Sequence, residues 1–340
     1  MLSACLVASL PSAKMLTTGF RSRGSFRLFS DSTNYLTPLP ATGEEVYVIS
    51  GSSRGIGLEF SRQLLLRTVG TKVIGLSRTS SDGLVELKAQ FPDRMHIVHV
   101  DLEDQESVEV AGKAVAALAS RVDILLNVAG ILGDGGKNFP GPERSILTID
   151  RDWFTKTMNL NLIGHVMMTQ ALVPLMKKEK TAPVPSKIVN LSARVGSIAD
   201  NSLGGWYSYR ISKSGLNMFT KTSSIELKRY RIQNNDMYFF SPEDDFVSLK
   251  LFFFLTSILL LLFRFNSMMI SIHPGTTDTD LSVPFQKGVK PDKLFPVEKS
   301  VGLMLNVVWN SNLTETGSLS FSYHQRSHLQ ICDNSRKYNQ

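Results

Sequence analysis

A chain of 340 residues with 42% hydrophobic and 20% charged residues has an ordinary globular composition and room for one large α/β domain plus appendages, or for two small domains. Its net charge of +7 sits mainly at the ends: Lys14, Arg21, Arg23 and Arg27 face only Asp31 in the first forty residues, and Arg326, Arg336 and Lys337 face only Asp333 after Gly317. The nearly neutral middle argues against a nucleic-acid surface, and Cys5 and Cys332, one in each terminal segment, build neither a disulfide framework nor a metal cluster, so no metal site is expected.

The first thirty residues hold no acid, and GFRSRGSFRLFS interleaves arginines with Ser and Phe. Such an Arg- and Ser-rich, acid-poor leader reads as an organellar transit peptide over residues 1–40, mitochondrial by its arginine spacing, with a plastid as the alternative. A disordered basic leader on a cytoplasmic protein is the other reading. A secretory signal fits worse, because MLSACLVASL has no charged start and only a short apolar run.

EEVYVISGSSRGIGLEFSRQLL opens the folded part. A β-branched run, Val46 to Ile49, leads into a glycine turn and then an amphipathic helical pattern through Phe60, Leu64 and Leu65: strand, loop, helix. Gly51, Gly55 and Gly57 are spaced G-x-x-x-G-x-G, and the missing Cβ atoms let the backbone approach a pyrophosphate whose charge faces the amides of the helix N-terminus. TKVIGLSR gives a second strand ending at Arg78, about twenty residues past the loop, where an NAD site carries Asp or Glu. A guanidinium there, with Arg54 in the loop, favours the 2′-phosphate of NADP(H) over NAD(H). MHIVHVDLED is a third strand running to Asp101 and Leu102, and VDILLNVAG a fourth running to Asn127, Ala129 and Gly130. Helical stretches separate the strands. The βαβ series predicts a single doubly wound, Rossmann-like α/β domain over residues 44–323, with a parallel sheet and helices on both faces.

GSSRGIG, the Asp101-Leu102 pair, NVAG, the Asn161-x-x-Gly164 of LNLIGH, YSYRISK and HPGTTDT stand in the order of the short-chain dehydrogenase/reductase family. NLSARVGSIADNSLGGWYSYRISKSGLN resembles its C-factor-like, carbonyl-reductase-related branch. The resemblance covers roughly Glu45 to Ile232 and resumes from Ile270 to about Gly317. It implies an NADP(H)-dependent oxidoreductase that interconverts a small-molecule carbonyl and a secondary alcohol, and a homodimer or homotetramer formed through the helices holding Asn161 and Tyr209. It further implies cofactor contacts from Gly51, Ser53, Arg54, Gly55, Ile56 and Gly57, from Arg78, Asp101 and Leu102, from Asn127, Ala129 and Gly130, and from Tyr209 and Lys213. Pro274, Gly275 and Thr277 would border the nicotinamide, and Thr279 would reach the carboxamide or pyrophosphate.

Tyr209 and Lys213 lie four apart, on one face of a helix. A phenol near pKa 10 is a poor acid/base at neutral pH, and a neighbouring ammonium is expected to lower that value. In the mechanism the resemblance implies, Tyr209 exchanges a proton with the substrate oxygen while hydride moves to or from the nicotinamide, Lys213 also holds the nicotinamide ribose, and Asn161 supports a water-linked relay. The family's further hydroxyl is usually the second serine of Asn-x-Ser-Ser after the fifth strand; KIVNLSARVGS has Ser192 at the first place and Ala193 at the second. Adjacent side chains of a strand face opposite ways, so Ser192 serves if the chain is already turning there, with Ser197 as the substitute. His165 and His273 read as satisfied polar residues beside packed elements, not as parts of a hydrolytic triad.

After Leu227 the helix should give way within a few residues to a sixth strand, ISIHPG, yet about 35 residues intervene, among them LKLFFFLTSILLLLFRF. Its uncharged core, Leu251 to Phe263, lies between Lys250 and Arg264 and is shorter than the roughly twenty residues of a membrane span. A single crossing there would also put two halves of one sheet on opposite sides of a bilayer. A foreign tract over 234–269, such as translated intron, is the favoured reading, and an interfacial helix on a membrane-surface reductase the next. The tail after Gly317 departs from the family, which usually ends with another strand, and 324–340 is expected to be disordered. These departures, with Ala193, keep a catalytically impaired NADP-binding protein as the rival function.

Overall fold

The computed structural model describes residues 44–133, 141–176, 184–229, 267–311 and 316–321. The expected leader (1–40), the expected insert up to residue 266 with its Leu/Phe run, and the expected disordered tail lie outside the described residues. In chain order the elements are β1 (Val46–Ser50), α1 (Gly55–Arg67), β2 (Lys72–Ser77), α2 (Asp82–Gln90), β3 (Met95–His99), α3 (Gln105–Leu118), β4 (Ile124–Asn127), α4 (Arg151–Met158), α5 (Gly164–Leu172), β5 (Ser186–Leu191), α6 (Tyr207–Arg229), β6 (Ser267–His273), β7 (Thr276–Thr277), β8 (Leu294–Phe295), α7 (Val297–Asn310) and β9 (Leu319–Phe321).

The strands of the main sheet run β3-β2-β1-β4-β5-β6-β9, every pair parallel. They are apolar on both faces because helices cover both. In β1, Tyr47 and Ile49 pack with Phe60, Leu64, Leu84, Val301 and Leu305 from α1, α2 and α7. Val46 and Val48 point the other way, onto Val108, Val115, Met168 and Leu172 from α3 and α5. The helix starts follow from short polar caps: Ser81 accepts from Leu84 N–H, Asp104 from Glu106 N–H and Asp150 from Trp153 N–H.

Two expectations for the second half need correction. Residues 267–269 belong to β6, not to an insert: Ser267, Met268 and Met269 pair with Ser186, Lys187 and Ile188. Met268 packs on the side of the sheet with Tyr47 and Ile49, and Met269 on the side with Val46 and Val48. A Met pair lacks the β-branched signature of a strand, so it reads in sequence as the end of the Leu/Phe run. The family's further strand is also present. Gly317, at φ 80, turns the chain and donates its N–H to Met269 O, after which Leu319–Phe321 pairs with Ser271–His273. Three residues are too few for a periodicity to register.

Because the sheet is parallel, the loops after β1, β3, β4, β5 and β6 gather at one edge, and the strand order reverses between β1 and β4. In such sheets that crevice is where ligands bind.

Candidate active site

The β1–α1 loop is pressed against the turn after β4. A Cβ on Gly51, whose φ is 74, would lie 2.6 Å from Ala129 Cα, and one on Gly57 would land on the Gly51 carbonyl oxygen. Gly51 and Ser52 donate their N–H groups to Leu76 O at 2.9 and 3.2 Å, and Ser53 O accepts from Ser81 Oγ. Arg54 precedes α1 with extended backbone and no side-chain cap bond, which leaves the amides of Gly55, Ile56 and Gly57 without a side-chain acceptor and directed at an incoming anion. Thr279 closes over this loop, its Cγ2 3.6 Å from where a Cβ on Gly55 would stand, and Arg54 lies 3.5 Å from Asp280. Gly51 and Gly57 let the loop close tightly on backbone, and the first-turn amides of α1 suit the phosphates of a dinucleotide. Across the crevice, Arg78 Nη1 stands 3.8 Å from both Asp101 and Glu103.

At the centre lie Asn161, Tyr209 and Lys213. A π-helical stretch, Asn159–Ile163, interrupts the run from α4 to α5; such bulges re-aim a side chain within a helix. Asn161 is fully buried and grips the backbone of Ile131, accepting from its N–H at 2.8 Å and donating to its C=O at 2.9 Å. A Cβ on Gly130 would lie 3.4 Å from Asn161 Oδ1 and 3.8 Å from Lys213 Nζ. Lys213 Nζ donates to Leu191 O at 2.7 Å and stands 5.7 Å from the centroid of the Tyr209 ring.

Burial pushes Lys213 down to about 8 and Tyr209 up to about 12. The expected lowering of the phenol by its ammonium neighbour is therefore corrected. Desolvation opposes phenolate, and the ammonium is engaged with the Leu191 carbonyl. At neutral pH the site holds a neutral phenol beside a cation, an arrangement suited to giving a proton rather than taking one.

Ser192 is built differently from expectation. Its N–H still bonds to Ile272 O at 2.8 Å, so the chain has not yet turned, and its Oγ donates to Asn217 Oδ1 at 2.7 Å. It fastens β5 to α6, where a substrate-side hydroxyl was expected. Ala193 opens the tight turn Arg194–Gly196, and Ser197 Oγ accepts from the N–H of exposed Asp200 at 3.4 Å. Asn127 also braces the fold. Its Nδ2 donates to Thr169 Oγ1 and Asn190 Oδ1, and Asn190 continues to Thr220 and Ser271, a buried polar ladder across β4, β5 and β6.

Leu102 lies under α5, its carbonyl oxygen 2.6 Å from the Cβ position of Gly164. Pro274 O accepts from Ser300 Oγ, which accepts from Thr277 Oγ1, so this segment, with Gly275 at φ 79, is braced on α7. His165 Nε2 bonds to Ala129 O at 2.8 Å, while its buried Nδ1 meets no partner among the described residues, so there it is half satisfied. Burial holds it near 3, and burial followed by Arg194 holds His273 near 4.

Two residues of the site escape any spacing rule. Glu143 is buried and accepts from both N–H and Oγ of Ser208, at 3.2 and 3.0 Å, placing a carboxylate at the N-terminus of α6. Trp206, just ahead of that helix, sets its ring edge-on to Tyr209 at 6.2 Å. The sequence holds no sign that Glu143 bonds to a partner 65 residues away.

A doubly wound sheet with a glycine cradle and a Tyr–Lys pair at its carboxyl edge defines a dinucleotide-binding oxidoreductase fold. The profile of the short chain dehydrogenase family matches residues 45–238, and the chain belongs to that family. It is 27% identical over 290 residues to an uncharacterized oxidoreductase of Schizosaccharomyces pombe, covering 82% of this chain and 95% of that one. It is 29% identical over 197 residues to human retinol dehydrogenase 5, covering 57% and 55%. Among solved structures, the NADPH-bound carbonyl reductase from chicken fatty liver superimposes with a TM-score of 0.62 at 23% identity, covering 82% of this chain and 96% of that one. The carbonyl reductase Sniffer of Drosophila melanogaster gives 0.63 at 21%, covering 83% and 97%.

Proposed function

We propose that this protein is an NADP(H)-dependent carbonyl reductase of the short-chain family in which Tyr209 gives the proton. The observation that carries the reading is the meeting of Lys213 and Asn161 at Gly130, with the Tyr209 ring 5.7 Å from Lys213 Nζ. The hydride comes from the nicotinamide when the dinucleotide is bound. As negative charge grows on the substrate oxygen, Tyr209 Oη donates its proton there, and the Lys213 cation steadies the charge left on the phenol. Asn161 keeps the Gly130–Ile131 backbone and Ser212 of α6 in register.

NADP(H) is favoured by Arg54 and Arg78. Both guanidiniums are exposed and only loosely paired, at 3.5 and 3.8 Å, so a 2′-phosphate dianion can displace Asp101 and Glu103 from Arg78. The likeness to an NADPH-bound carbonyl reductase supports the same choice, whereas a structure of 3-oxoacyl-[acyl-carrier protein] reductase from Brucella melitensis contains NAD. Assembly as a dimer or tetramer through the helical run holding Asn161 and through α6 is supported by exposed Ile163, Ile211 and Met218. Among the described residues no helix is long and apolar enough to cross a membrane.

The rival reading, an NADP-binding protein without turnover, is favoured by Ala193 and by the engagement of Ser192 with Asn217. NADPH oxidation by the full chain across a panel of ketones and aldehydes separates the two. Saturable turnover that is faster with NADPH than with NADH is expected; tight NADPH binding with no turnover on any carbonyl establishes the rival.

A further inference from the structure

Ahead of the Tyr209 helix, three consecutive residues adopt left-handed backbone: Gly204 at φ 66, Gly205 at φ 65 and Trp206 at φ 57. For the glycines that conformation is free. For a tryptophan it is strained, and among the described residues Trp206 is the one non-glycine with positive φ. Strain of this sort persists only where the surroundings impose it, and it clusters at ligand sites.

The constraint comes from Glu143. Its carbonyl accepts the Trp206 N–H, and its carboxylate holds Ser208. A Cβ on Gly205 would sit 3.4 Å from that same carbonyl oxygen, so the two loops run side by side.

The indole is thereby aimed at Tyr209, the ring centroids 6.2 Å apart and the planes at 76°. It also meets Phe285, at 5.2 Å and 55°, and Phe285 in turn packs on Gly141, its Cζ 3.3 Å from the Cβ position. Three loops thus meet in an aromatic corner that begins at the phenol. Trp206 and Phe285 are only half-buried, and neither belongs to a core cluster. Holding a strained tryptophan here serves no packing need of the core. Close by in the chain, Leu203 is 88% and Val283 57% exposed.

We propose that Trp206, backed by Phe285, is the specificity-determining residue of this site. It forms a flat wall against which the group attached to the carbonyl carbon lies while the carbonyl oxygen meets Tyr209, and it selects carbonyls bearing a planar aromatic or conjugated group. The chemistry is ring-on-ring packing, which a saturated ring of equal size matches in area but not in geometry. The inference rests on the reading of Tyr209 as proton donor.

An aryl methyl ketone and its cyclohexyl counterpart, reduced with NADPH by the full chain, form the test. Trp206→Gly removes the ring while fitting the backbone, and Trp206→Phe keeps a ring. Wild type should prefer the aryl ketone. Trp206→Gly should lose roughly tenfold or more in kcat/KM for it, mainly through KM, with about threefold or less for the saturated ketone, and Trp206→Phe should recover most of the loss. Equal losses on both ketones, or an unchanged preference, overturn the inference and make Trp206 a plug between loops. Calorimetric binding of the two ketones to NADPH-loaded Tyr209→Phe protein, with and without Trp206→Gly, reads the same wall without turnover. A wild type that reduces neither ketone contradicts the carbonyl-reductase reading, and the binding arm then decides the role of Trp206 alone.

Discussion

Tyr209→Phe lowers kcat for NADPH-dependent carbonyl reduction by about 10²- to 10⁴-fold, the range set by loss of a positioned proton donor, while NADPH still binds. The substitution is narrow because the ring stays. Its edge contact with Trp206 and the approach of Lys213 Nζ at 5.7 Å need no hydroxyl, and Lys213 keeps its bond to Leu191 O. Only the proton is lost. Steady-state turnover gives the fall in kcat, and NADPH fluorescence titration shows whether the cofactor site survives. A variant that turns over like wild type places the proton donor elsewhere, with bulk water the first alternative.

Gly57→Ala is expected to lower NADPH affinity by more than about tenfold and the melting temperature by several degrees. The new methyl group would fall on the Gly51 carbonyl, with Ser52 Cα 3.1 Å away. Both neighbours are backbone, so neither can swing aside, and overpacking of this kind costs about 1–3 kcal/mol or more. In a domain of this size each kcal/mol shifts the melting temperature by roughly 2–4 °C. Relief by opening the loop would pull the α1 amides away from the pyrophosphate. Gly83→Ala is the matched control. Its Cβ would meet Leu58 Cδ2 at 2.7 Å, the end of a flexible side chain that can turn away, and alanine favours a helix by about 0.5–1 kcal/mol over glycine. Thermal melts and NADPH titrations on both variants check the pair; similar losses in the two would show that the loop is not tightly closed on itself.

The first half of the sheet was legible because strands such as β1 and β4 are largely apolar runs followed or preceded by helical periodicity, a pattern that requires parallel pairing with cover on both faces. The Tyr209–Lys213 pair was legible for a related reason, since a spacing of four on a helix fixes a shared face. Features that depend on distant partners were not. No local rule joins Glu143 to Ser208, and the left-handed Trp206 runs against the residue's own preference. The π-helical turn at Asn161 is hidden in NLNLI, which fits an α-helical pattern equally well. For the phenol, the sequence supplied the neighbouring charge but not the desolvation, and desolvation wins. Ser192 turned on whether β5 still runs extended there, which its bond to Ile272 O reveals.

The pH dependence of kcat/KM for ketone reduction bears most directly on a neutral phenol assisted by a buried cation. Tyr209, held near 12, stays protonated across the working range, whereas Lys213, held near 8, loses its charge as pH rises through that value. The rate should be level below about pH 8 and fall above it. A reduction rate that climbs toward pH 10 would contradict this and mean that the ionised phenol is the active form.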